Sequence, residues 1–294
     1  MAMNVPVVAG LVVISASALA GFVIEHDARA DSIVLSCVKD TTLIDNGFGD
    51  VSNGAGDGIF SGQTGPLANN TNLRALLAFD LTSIPPGSVV NDASLTLRLV
   101  MSRSGFKTHT LHKVLADWGE AGSSGFGGLG APAQPGDATW THRFYPTTPW
   151  TTAGGDFSAT DSATQSVDLT LTDFVWTSPQ LVADVQSWVN DPCANFGWML
   201  IGDETASTTA KKFASRDWFV PAERPRLAVN FSPAPVCLGD VTHSHAVNID
   251  DLLMVIGAWG QCSVPCNCPA DIDQNHIVNI DDLLLVIGHW GGCP

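Results

Sequence analysis

Near the C-terminus, oxygen-bearing side chains recur at regular intervals: Asp271-x-Asp273-x-Asn275-x-Ile277-x-Asn279-x-x-Asp282. Counted from Asp271, side-chain oxygens fall at positions 1, 3, 5, 9 and 12, and the carbonyl of Ile277 serves position 7. A curved loop of this kind suits a hard cation that takes about six to eight oxygens at flexible distances, and the spacing is that of a calcium loop. The series Asp240, Thr242, Ser244, Ala246 (through its carbonyl), Asn248 and Asp251 repeats the pattern 31 residues earlier with fewer carboxylates. The expectation is two calcium sites, the second the stronger. Both loops carry His (His245, His276) at position 6, where Gly usually makes the sharp turn, and Asp rather than Glu at position 12. Asp250 and Asp281 would favour a helix N-terminus even with no ion bound.

The loops belong to a duplication. Val247-Asn-Ile-Asp-Asp-Leu-Leu-Met-Val-Ile-Gly-Ala-Trp259 returns as Val278-Asn-Ile-Asp-Asp-Leu-Leu-Leu-Val-Ile-Gly-His-Trp290. Two short units that cannot each bury a core must pack together. Each is a polar loop followed by an apolar helix, expected to present Leu252, Leu253, Ile256 and Trp259, and Leu283, Leu284, Ile287 and Trp290. Residues 237–294 hold seven Asp, no Glu, Lys or Arg, and five of the seven Cys, so they form a separate module behind the stiff stretch Ser232-Pro233-Ala234-Pro235, with the linker set at residues 233–236. Repeat symmetry groups Cys237, Cys262, Cys268 and Cys293. They could pair within repeats (Cys237–Cys262, Cys268–Cys293) or clasp the module ends (Cys237–Cys293). Cys266-Asn-Cys268 beside Cys262 lacks a His to complete a zinc site.

The duplicated loop–helix pattern with VNIDDLL after each loop resembles a type I dockerin module over residues 237–294. That resemblance implies one calcium per repeat and docking of the two helices onto a cohesin-like scaffold or cell-surface protein. It also assigns partner choice to positions 10 and 11 of each loop, here Ile249-Asp250 and Ile280-Asp281.

Stepping N-terminally, residues 31–232 read as short strands rich in β-branched residues, separated by Asn-Gly, Pro-Pro-Gly and Gly-rich turns. One helix interrupts them: Ser178 to Asn190 begins with a Ser cap and a Pro, and places Leu181, Val182, Val185, Trp188 and Val189 at helical spacing. The fold class is therefore mostly β, an antiparallel β-sandwich or jelly roll, followed by the small helical calcium-loop module. The ordered set Asn72–Leu81, Ala93–Leu99, Ala116-Asp-Trp-Gly-Glu120, Ala138-Thr-Trp140, Asn195-Phe-Gly-Trp198, Phe213-x-Ser-Arg216 and Arg224-Pro-Arg-Leu227 resembles the DNRLRE family of extracellular β-sandwich domains. That family is similar to carbohydrate-binding modules, so the resemblance implies a polysaccharide or surface-glycan ligand.

Sugar sites use aromatic platforms rimmed by charged and amide groups. Trp118, Trp140, His142, Arg143, Tyr145 and Trp150 lie in or beside long loops and are the candidate platform; Trp188 and Trp198 lie on apolar segments and are expected in the core. Arg216, Arg224 and Arg226 could meet an acidic glycan or pair with strand-edge carboxylates. Asp117, Glu120, Asp203 and Glu204 are the acids a glycoside hydrolase or lyase could use, without a distinctive pairing, and loop 45–57 could hold a further calcium through Asp45, Asp50 and Asp57.

The charge balance of 29 acidic against 13 basic residues, net −16, speaks against nucleic acid and anionic membrane surfaces. Residues 6–24 are almost continuously apolar and small, and A-x-A sites end at Ala20 and Ala30. A signal peptide over 1–30 is expected, with a retained anchor as the alternative, which makes the product secreted or surface-bound and permits disulfides. The leading functional expectation is a non-catalytic glycan- or surface-binding domain tethered by its tail. A polysaccharide hydrolase or lyase component and a structural cell-surface protein are the alternatives.

Overall fold

The computed structural model describes residues 30–125, 127–234, 237–262, 268–273 and 275–293. Almost all of the expected leader, the end of the linker and Cys266 lie outside the described residues. The principal strands are β1 (Asp31–Ile44), β2 (Gly58–Gln63), β3 (Asn72–Phe79), β4 (Val89–Ser102), β5 (Lys107–Val114), β6 (Phe157–Val167), β7 (Asp173–Trp176), β8 (Trp198–Ile201), β9 (Lys211–Ala214) and β10 (Arg226–Ser232). Three helices accompany them: α1 (Pro179–Asn190), α2 (Ile249–Gly257) and α3 (Ile280–Gly288).

The mostly β, antiparallel expectation holds, and its organising element is a closed six-stranded ring in the order β1-β10-β4-β9-β2-β3 and back to β1. Closure depends on β1, which serves two neighbours. Asp31 to Ser36 pair with β10, and after a register shift between Cys37 and Lys39 the remainder pairs with β3 through to Ile44 opposite Leu73. A strand that changes partner midway joins two walls without leaving a free edge between them. Beyond the ring, β8, β5 and β6 extend the wall from β3, and β7 adds to β4.

Alternation sets what each face buries. On β4, Ala93, Leu95, Leu97 and Leu99 point into the core, whereas Val90 belongs to the opposite phase of the count. A register shift against β10 between Asp92 and Val90 absorbs the extra residue and keeps both sets inward. Strand β3 is apolar on both faces. Ala75, Leu77 and Phe79 join the main core, and Leu76 and Ala78 join a second cluster on the other side of the sheet.

Helix α1 forms where its sequence signals place it. The Ser178 side chain accepts a hydrogen bond from Leu181 N–H at 3.0 Å, and Leu181, Val185, Trp188 and Val189 are buried. Asp184 is buried too, because its Oδ2 receives Trp198 Nε1–H at 3.0 Å and the Ser162 hydroxyl at 2.5 Å. Trp188 and Trp198 meet edge to face with centroids 4.5 Å apart, both in the core as expected. Loss of a cap typically costs about 1 kcal/mol. Ser178→Ala is therefore expected to lower stability by about that amount in urea unfolding, and Ser178→Asp to retain most of it.

Candidate functional site

In the tail, Asn248 and Asn279 cap α2 and α3, and Asp251 and Asp282 complete reciprocal capping boxes from the third helical position. These carboxylates also turn back over the preceding loops. Asp282 accepts N–H groups from Ile272 at 2.7 Å and Asn279 at 2.8 Å; Asp251 accepts those of Thr242 at 3.0 Å and Asn248 at 2.8 Å. Burial works against ionisation of Asp251, but these donors and the Thr242 hydroxyl outweigh it and hold the carboxyl below its ordinary value. Asp240 and Asp271 accept the position-6 N–H groups of His245 and His276, each at 2.8 Å. Both histidines take left-handed backbone, φ 65° and 69°, so the turn usually left to Gly is made here by His.

The loops differ in charge density. Carboxylate oxygens of Asp271, Asp273 and Asp282 lie within 4.8 Å of one another. In the first loop Thr242 replaces the middle acid, its hydroxyl oxygen lying 2.8 Å from Asp251 and 3.3 Å from Asp240. Asn275 and Asn279 stand at positions 5 and 9 of the second loop, with the Ile277 carbonyl between them; Ser244, Asn248 and the Ala246 carbonyl hold the matching places in the first.

The repeats clasp each other. Ala246–Val247 pairs with Gly291–Gly292, and Ile277–Val278 pairs with Gly260–Gln261, two ladders that exchange under the repeat symmetry. Cys237 bonds to Cys293 and Cys262 to Cys268, so both bridges run between repeats and the alternative of pairing within repeats is overturned. The reason is the antiparallel clasp, which sets each helix end beside the start of the other loop. Val241, Val247, Val255, Ala270, Val278 and Val286 form the shared core, with Leu252 and Leu283 turned towards it rather than outward as expected. Ile249, Asp250, Ile280 and Asp281 are exposed.

The aromatic platform does not assemble. Trp118 and Trp150 are only 1 % and 5 % exposed, and their indole N–H groups donate to the carbonyls of Phe196 and Thr139, each at 2.9 Å. With Leu43, Leu76, Val114 and Met199 they form the second cluster, and Trp140 packs partly buried against it beneath the Arg74 guanidinium, 4.8 Å from the ring. These indoles are needed to cover the outer face of β3 and β8. His142 and Tyr145 contact each other edge to face at 5.5 Å, and Arg143 donates to the Asp117 carbonyl; all three are half-buried.

The candidate acids are each engaged by a cation: Asp117 by Lys39 at 3.1 Å, Glu120 by Arg216 at 2.9 Å, Asp203 by Lys107 at 2.8 Å and Glu204 by Arg74 at 2.7 Å. Arg226 pairs with Asp173 at 2.9 Å, and Arg224 donates to the Trp218 carbonyl. Loop 45–57 does not gather its acids: Asp50 accepts from Asn46, and Asp57 pairs with Lys212 at 2.6 Å.

Behind Glu120 lies Asp40, fully buried, with Oδ2 accepting Arg216 N–H at 2.7 Å and Oδ1 without a partner among the described residues. Burial raises its pKa to about 8; the Arg216 N–H opposes this, and the charge of Glu120 adds to it.

A feature not foreseen from the sequence is a groove of about 410 Å³ lined by Phe106, Lys107, Thr110, His112, Ile201 and Asp203, among others. It lies on the sheet face of β5 and β8, where Thr110 stands opposite Ile201 in register. Thr108, Thr110 and His112 alternate with inward His109 and Leu111, a period-two signal that marks an outward polar face.

No protein-family model matches the chain, and no curated protein shows significant similarity to it.

Two outcomes follow from these surroundings. Trp150→Ala should destabilise the barrel by about 3–5 kcal/mol, the scale of a large aromatic lost from a core, as read by thermal or urea unfolding. For Asp40, a folded pKa of about 8 means that the native state holds a proton the unfolded chain has released. Its contribution is full below the ordinary carboxylate pKa and is lost as pH rises towards 8. Asp40→Asn should therefore gain stability relative to the parent protein more at pH 9 than at pH 5, measured by urea unfolding at each pH.

Proposed function

We propose that the protein is a secreted or surface-bound, non-catalytic binding protein. Its barrel engages a glycan or surface polymer, and its calcium-loaded, dockerin-like tail docks on a cohesin-like partner. In this reading the ring with its added strands is a flattened jelly-roll sandwich, and the tail is a tandem calcium-loop module.

The observation that carries the tether is the matched pair of exposed apolar faces on α2 and α3. Ile249 and Ile280 are both 52 % exposed, Leu253 and Leu284 both 56 %, and Trp259 and Trp290 both 53 %. A soluble module rarely leaves such equivalent apolar groups uncovered on two helices and just past their ends unless a partner covers them. Ile249-Asp250 and Ile280-Asp281 begin those faces and would be read by the partner in either orientation. The donor sets suit calcium: hard oxygens, a tight left-handed turn at position 6, and a second loop with three converging carboxylates. Bound calcium would neutralise the loop carboxylates and fix the start of each helix.

The non-catalytic reading is supported by the ion pairs. Glycoside hydrolysis needs two carboxyl groups free for acid and base or nucleophile roles, and Asp117, Glu120, Asp203 and Glu204 are each held by Lys or Arg. The polysaccharide-hydrolase or lyase alternative lacks an observation of this kind in its favour.

Calorimetric titration of the full chain should register two calcium ions, the tighter one lost in Asp273→Ala. Asp273 is exposed and caps no helix, so this variant should leave stability in EDTA unchanged while shrinking the gain from calcium. That gain is about 2.7 kcal/mol at a calcium concentration of a hundred times Kd. Equal melting with and without calcium, in both oxidised and reduced protein, would overturn the reading.

A further inference from the structure

We infer that the groove on β5 and β8 is a saccharide site, and that it takes a neutral pyranose-based oligosaccharide. The inference rests on the glycan-binding reading of the barrel and moves its site away from the loop aromatics.

The placement comes from how the sheet is covered. The outer face of β3 and β8 lies under Trp118, Trp140 and Trp150, with Phe157 and Ile201 packed at the margin of that cluster. On β5 the outward residues change from apolar to Thr108, Thr110 and His112, and the groove of about 410 Å³ opens there. A volume of that order lies in the range of small-molecule sites.

The chemistry comes from what lines it. The Asp203 carboxylate is fixed by Thr205 N–H at 2.9 Å, by the Thr205 hydroxyl at 2.7 Å and by Lys107 Nζ at 2.8 Å. An acceptor and a donor held side by side match a vicinal diol: one hydroxyl donates to Asp203 and its neighbour accepts from a remaining Lys107 N–H. His112 Nδ1 lies 3.0 Å from the Ser158 carbonyl, which only accepts, so Nδ1 carries a proton, and in the neutral ring Nε2 accepts. The Thr110 hydroxyl adds a group of either sense. Phe106, 74 % exposed, supplies an apolar ring for the C–H face of a pyranose. Charge selects against an acidic sugar: among the described residues Lys107 is the one Lys or Arg lining the groove, and Asp203 already engages it.

The test uses the full chain in calorimetric titrations with cellotetraose, xylotetraose and mannotetraose, and with alginate as the anionic comparison. The parent protein should bind at least one neutral tetrasaccharide. Phe106→Ala and Thr110→Val, which removes the hydroxyl and keeps the shape, should each weaken that binding tenfold or more with an unchanged melting temperature. Unaltered affinity in both variants would place the sugar elsewhere and leave glycan binding standing. Preference for alginate would overturn the neutral class. Absence of binding to all four probes would overturn both the groove and the glycan-binding reading.

Discussion

A strand that is apolar on both faces must be covered on both, and β3 imposes that requirement on the barrel. Its inward residues Ala75, Leu77 and Phe79 join the interior closed by the ring, and its outward Leu76 and Ala78 demand a second layer. The chain answers with the long excursion between β5 and β6, which lays Trp118, Trp140 and Trp150 over that face. The ion pairs of Asp117 with Lys39 and Glu120 with Arg216 pin the start of this excursion to the barrel. Where the apolar demand ends, on β5, the cover ends with it, and the sheet is left with an open polar surface. One constraint thus fixes both the burial of the indoles and the position of the groove.

The tail obeys a different constraint, repulsion among like charges. Seven Asp without a Lys or Arg would drive its loops apart, so the carboxylates are satisfied locally, by N–H groups at the loop turns and at the helix N-termini. Asp251 and Asp282 work twice, capping a helix and closing over a loop. This arrangement organises the loop oxygens while leaving Asp273 unshared by any helix, which makes it a direct test of the proposed cation binding.

Much of this architecture was legible from the residues. The Ser-Pro start and 3–4 spacing of Leu181, Val185 and Trp188 specified α1, and the repeat spacing specified α2 and α3 with their loops. The closed ring was not legible, because the partner change of β1 at Cys37–Lys39 leaves no mark in strand propensity. The loop tryptophans misled for a related reason. Residues flanked by Gly, Pro and Thr look solvent-facing, and nothing local reveals that they cover the far side of β3. Leu252 and Leu283 misled through position alone, since helix phase shows which residues share a side but not which side meets the other repeat. The groove had a faint signal in the alternation of Thr108, Thr110 and His112, but Asp203 reaches Lys107 only through the pairing of β8 with β5.

The bridge between Cys237 and Cys293 joins the first and last described residues of the tail, their Cα atoms 5.3 Å apart across 56 residues of sequence. In mechanical terms the tail is a closed hoop. A pull arriving along the linker reaches Cys237 and divides at once between the backbone and the sulfur bridge, so the first repeat cannot be peeled away ahead of the second. Inside the hoop, the bridge from Cys262 to Cys268 shortens the path between repeats. Load is therefore shared by both repeats together.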